Sequence, residues 1–146
     1  MAVEANPLLA KRLLGNVGAC QNVTVYICGL SQKADLLPFS ILSSGNSGQS
    51  SFRPWGHVSY ERVVHVSTVP AASIPSAPPD IVKIDVEGFE LEVLQGFGYL
   101  LGAINKYVIE TSNPEAVIDL LGKDKFTYKH IGPAGLPDYV FERISS

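Results

Sequence analysis

Cysteine is nearly missing from this chain. Cys20 and Cys28 are the only two in 146 residues, too few for a disulfide framework or a cysteine-held zinc. Both are read as reduced thiols. Histidine is as sparse: His57, His65 and His130 are scattered without metal-ligand spacing, so no metal is expected. A basic block is absent too. Eleven Lys and Arg against fourteen Asp and Glu leave a net charge of −3, which argues against nucleic acid or an anionic membrane surface as partner. No apolar run approaches the ~20 residues of a membrane-spanning helix. Met1-Ala2-Val3-Glu4 has neither the basic nor the apolar part of a secretory leader. A cytoplasmic domain is the expectation. What remains is 46% hydrophobic and only 17% charged residues, a composition that builds one core rather than a disordered chain. The whole chain, 1–146, is therefore read as a single domain.

The chain alternates strand and helix signals. Ala2-Val3-Glu4 reads as the tail of a strand, and Asn6-Pro7 opens a helix with Asn6 as cap and Pro7 in the first turn. Leu9, Leu13 and Leu14 form its expected buried stripe, and Gly15-Asn16 its stop. Val23 to Gly29 reads as one strand, which makes strand, helix, strand a right-handed parallel crossover. Leu36 to Leu42 is a further short strand, confined to an edge by Pro38. Residues 43–51, rich in Ser and Gly, read as a flexible loop. Arg62 to Val69 is another strand, and the four prolines between Pro70 and Pro79 exclude a long helix. Lys106 to Glu110 is a strand ending in an acid. A helix follows from Asn113-Pro114 to Gly122, with Val117, Leu120 and Leu121 on its stripe. Phe126 to Ile131 and Asp138 to Ile144 close the chain as a hairpin.

The stretch Asp80 to Gly96, D-I-V-K-I-D-V-E-G-F-E-L-E-V-L-Q-G, stands apart. A strand, Ile81 to Val86, passes through Glu87-Gly88 into a helix, Phe89 to Leu101, whose stripe is Leu91, Leu94 and Leu101, with Glu90, Glu92 and Gln95 off it. Strand alternation puts Lys83, Asp85 and Glu87 on one side. Charges at the carboxyl end of a parallel strand cost desolvation. Ligands of open α/β sheets bind at that end. A plain Lys83–Asp85 ion pair, with Glu87 placed only to favour the next helix terminus, is the alternative.

This run resembles the signature of the FkbM-type methyltransferases, which use S-adenosylmethionine. The resemblance implies an α/β fold with an incomplete Rossmann-like sheet, mostly parallel and closed by the C-terminal antiparallel hairpin. It also implies methyl transfer to a hydroxyl of a small molecule or glycan. Glu4-Ala5-Asn6-Pro7 is similar to the family's Glu-Pro-Asn-Pro element, which makes Glu4 the expected acceptor for ribose hydroxyls, with Asn6 beside it. Gly29 and Leu30 fall where such folds meet the adenine. By the same resemblance Asp85 is assigned to cofactor binding and to the methyl-transfer centre, Glu87 to the acceptor as base or binding group, and Lys83 to support of Asp85 or to the substrate.

One part of the pattern is not encoded. In nucleotide-binding sheets a glycine-rich turn lies ~20 residues before the ribose acid, and only three residues precede Glu4. The expectation is a chain without its first strand, inactive or weakly active alone, whose exposed strand edges favour self-association. A non-catalytic binding module stays open as the alternative. So does a dehydrogenase with Glu4 on a nicotinamide-cofactor ribose, against which the charged run speaks.

Overall fold

The computed structural model describes residues 1–42, 47–74, 77–133 and 137–144. Its elements are β1 (Ala2–Val3), α1 (Pro7–Val17), β2 (Val25–Tyr26), β3 (Gly29–Leu30), β4 (Asp35–Ile41), β5 (Arg62–Val69), β6 (Ile81–Ile84), α2 (Glu90–Phe97), β7 (Lys106–Glu110), α3 (Pro114–Leu121), β8 (Phe126–His130) and β9 (Asp138–Arg143). The fold is mixed α/β. Strands pair in three groups: β1-β2, β3-β5-β4 and β6-β7-β9-β8. Pairs β1/β2, β3/β5 and β6/β7 are parallel, whereas β4/β5, β7/β9 and β8/β9 are antiparallel. The C-terminal hairpin thus closes the sheet as expected, and its turn at 134–136 lies outside the described residues. No described helix is long and apolar enough to cross a membrane.

The core lies on the four-stranded sheet. Tyr107, Ile109 and Phe141 from its strands meet Val93, Leu94 and Phe97 of α2 and Val117, Ile118 and Leu121 of α3, all at most 5% exposed. Each such side chain contributes about 1.5–3 kcal/mol by leaving water. Tyr107 keeps its hydroxyl satisfied by donating to the Leu101 carbonyl at 2.8 Å, and burial pushes its pKa far up. Helix α3 is capped as read: the Asn113 side chain accepts from the Ala116 amide at 3.1 Å, and Pro114 opens the first turn.

Several sequence expectations need correction. Val23 to Gly29 is not one strand. The chain leaves β1 after Tyr26 and joins β5 at Gly29, so Ile27 and Cys28 are the step between two sheets. Helix α1 runs through Gly15 to Val17 and fully buries only Ala10 among its described residues, with Leu14 49% exposed. The helix after Gly88 ends at Phe97 and continues as a 3-10 segment, Gly98–Ala103. Glu90 is 7% exposed rather than on the wet face. In the Ser/Gly stretch, 43–46 lie outside the described residues. Ser47–Gln49 form a 3-10 turn, and Ser51 exchanges backbone hydrogen bonds with Ser40 at 2.9 and 3.0 Å.

Helix α2 reaches the second sheet group through Gly96. A Cβ there would stand 2.3 Å from the Ser31 carbonyl oxygen, a backbone atom that cannot swing away. Gly96→Ala is expected to lower stability by about 1–3 kcal/mol, the usual range for overpacking. Gly15→Ala, with nothing within 4 Å of the new methyl, is expected to gain about 0.5–1 kcal/mol through helix propensity. Denaturant titrations check both, and equal effects would contradict the close approach.

Candidate functional site

At the carboxyl ends of β1, β3 and β6 the chain encloses a cavity of about 260 Å³. Its walls bring together Glu4, Asn6, Leu30, Asp85 and Glu87, with Phe52 and Phe89 as apolar sides. Two sequence-predicted site residues lie elsewhere. Gly29 sits behind the wall, where a Cβ would strike the Phe52 ring at 2.6 Å. Lys83 lines an adjoining cleft of about 400 Å³ that shares Val3, Leu30 and Asp85 with the first. That cleft lies between β1 and β6, which share no backbone pairing among the described residues.

Glu4 and Asn6 are set by the start of α1. The Glu4 amide donates to the Tyr26 carbonyl at 3.0 Å, which fixes the residue at the end of β1. Its carboxylate accepts from the Asn6 amide at 2.6 Å, and burial holds its pKa above the ordinary 4.5 despite that bond. Asn6 is 2% exposed and caps the helix by accepting from the Leu8 amide at 3.0 Å. Because the Leu8 amide needs an acceptor, this bond assigns Oδ1 and leaves Nδ2 turned away from it. Among the described residues that buried Nδ2 has no hydrogen-bond partner, a state that costs about 1–3 kcal/mol.

The turn after β6 carries the acids. Glu87 is the one described non-glycine residue with positive φ, at 53°, followed by Gly88 at 94°. Such a backbone costs on the order of 1 kcal/mol. The Ser51 hydroxyl holds it by donating to the Glu87 carbonyl at 2.7 Å, and Phe89 anchors it against Phe52 with ring centroids 5.0 Å apart. Glu90 accepts from the Gly88 amide at 2.7 Å. Lys83 Nζ meets Asp85 Oδ2 at 2.7 Å in an exposed pair, of a kind worth about 0.2–1 kcal/mol. Burial first, then neighbouring carboxylates, raises Glu87, Glu90 and Glu110 above 4.5. Phe52, Glu90 and Glu110 were not assigned to the site from sequence. Glu110 ends β7 beside Asp85, and its only sequence signal is an acid at a strand end.

A profile of the methyltransferase FkbM domain matches residues 1–128. The chain belongs to this family. Hexuronic acid methyltransferase AglP of Haloferax volcanii is 28% identical over 130 residues, which are 86% of this chain and 54% of that protein. The chain thus spans about half the length of this curated relative. The crystal structure of methyltransferase FkbM from Methylobacillus flagellatus superposes with a TM-score of 0.60 at 15% identity, covering 96% of this chain and 35% of the other. That likeness extends to the fold. FkbM membership agrees with the family expected from the Asp80 to Gly96 run.

The raised carboxyl groups set a pH dependence. An acid whose folded pKa lies above its unfolded value adds stability below the unfolded value and loses it as pH rises through the folded one. Glu110→Gln mimics the protonated form. It is expected to raise the melting temperature at pH 7, with the gain vanishing below the ordinary 4.5. Thermal melts at both pH values check this, and a gain that persists at low pH would remove carboxylate repulsion as its cause.

Proposed function

We propose that this FkbM-family chain forms the S-adenosylmethionine-binding part of an O-methyltransferase that acts on a hydroxyl of a small molecule or glycan. The observation that carries the reading is the 260 Å³ cavity that gathers Glu4, Asn6, Asp85 and Glu87 between two aromatic walls. The residues present fit the cofactor's ribose and adenine. Glu4 would accept from ribose hydroxyls with Asn6 beside it, while Leu30 and Phe52 would cover the adenine. When bound, S-adenosylmethionine supplies an electrophilic methyl group. Glu87, whose half-buried carboxyl holds its proton more readily than usual, would take the proton of the acceptor hydroxyl. Asp85, fixed by Lys83, would line the transfer centre. The unpaired thiols of Cys20 and Cys28 favour a reducing, cytoplasmic setting.

Among the described residues β1 and β6 each pair on one edge only, which supports a second reading, a non-catalytic module that associates through those edges. Calorimetry with S-adenosylhomocysteine separates the two. Weak binding through the ribose and adenine is expected of the chain alone, and Glu4→Ala is expected to weaken it by about 1–3 kcal/mol through lost hydrogen bonds to a charged group. No binding by the chain favours the module, and unchanged affinity in the variant removes Glu4 from the site. In a longer chain that includes the first strand and the glycine-rich turn, Asp85→Asn should reduce methyl transfer by a far larger factor than it changes the melting point. A variant with full activity and lower stability would make the Lys83–Asp85 pair purely structural.

A further inference from the structure

On the far side of Glu87 lies a separate cavity of about 130 Å³. Glu87 lines both this cavity and the larger one, so the two meet at this residue. The other walls include Trp55, Glu110, Thr111, Ser112 and Pro137. Trp55 is 39% exposed yet fixed in place: its amide donates to Tyr60 Oη at 2.9 Å, and its carbonyl accepts from the Val58 amide at 3.1 Å. The indole lies beside the turn: a Cβ on Gly88 would stand in ordinary contact with Trp55 Cζ2, at 4.0 Å. A held, half-exposed indole offers a flat apolar face beside hydrogen-bonding groups.

The polar groups are mostly acceptors. Among the described residues no lysine or arginine pairs with Glu87 or Glu110, because Lys83 is bound to Asp85 and Arg53 to Glu92. Thr111, 5% exposed, accepts from the Asn113 amide at 3.1 Å and keeps its own proton to donate. Such a wall matches a ligand with several hydroxyl donors and one apolar face. The volume is below the ~300 Å³ usual for drug-sized ligands, so it suits one ring rather than a chain. A carboxylate on that ring would face Glu87, Glu90 and Glu110, with Asp85 and Asp138 behind Glu110.

We propose that this cavity is the acceptor subsite and takes an uncharged pyranose, its apolar face on Trp55 and its hydroxyls donating to Glu87 and Glu110. The acceptor role rests on the methyltransferase reading; the sugar site does not. The acceptor would then differ in charge from the hexuronic acid in the Haloferax relative's name. Trp55 is the chain's single tryptophan, so fluorescence excited selectively at tryptophan, beyond the absorption of the tyrosines, reads this site alone. Titration of the full chain with methyl β-glucopyranoside is expected to give a saturable change in emission. Methyl glucuronide should bind roughly tenfold or more weakly because of like charge. Glu110→Gln, with folding checked by circular dichroism, should weaken the glucopyranoside and narrow the difference between the two. A response to neither sugar, or a glucuronide that binds as tightly as its neutral counterpart, overturns the proposal. S-adenosylhomocysteine binding measured on the same sample keeps the two readings apart. Cofactor binding without a sugar response sinks only the subsite, and a sugar response without cofactor binding sinks only its role as acceptor.

Discussion

Four carboxyl groups, those of Asp85, Glu87, Glu90 and Glu110, stand together where β6 and β7 end, against both desolvation and mutual repulsion. The fold supplies what holds them. Glu90 is tied to the Gly88 amide, Glu87 is pinned through its carbonyl by Ser51, and Phe89 fastens the turn to Phe52 and Phe39. Beneath them the α2 and α3 faces bury the sheet. Apolar burial of that size outweighs the cost of a few misplaced charges.

The cations are arranged with the same economy. Lys83 takes Asp85, and Arg53 takes Glu92, so both lie at the margin of the cluster. Among the described residues no lysine or arginine forms an ion pair with Glu87 or Glu110, and Glu110 shares a hydrogen bond with Asp85. The raised pKa of each follows from burial before it follows from neighbours.

Much of this was legible in the residues. Strands β5 and β7 and helix α3 fall where alternation, propensity and the Asn113-Pro114 start put them. Pro38 marks β4 as an edge because it has no amide to donate. The Asp80 to Gly96 run located the turn that carries Asp85 and Glu87. What escaped was set by tertiary placement. Helical periodicity assigns Glu90 to solvent, but its neighbours include the glycine amide it satisfies, so the carboxyl turns inward. Leu14 has the right spacing for a core and is 49% exposed. The Val23 to Gly29 run has strand propensity throughout, and nothing local says that it changes partner midway. Trp55 and Glu110 lie 55 residues apart, and only the folded chain sets them around one cavity.

Helix α2 joins these regions mechanically. Its eight residues make a rod about 12 Å long. One end carries the Glu87-Gly88 turn between the two cavities, and near the other Gly96 rests against the Ser31 carbonyl, next to Leu30 in the wall of the larger one. Backbone touching backbone leaves no side chain to absorb a shift. The helix is therefore a lever arm: a push at the Glu87 end arrives at the Leu30 wall with little slack.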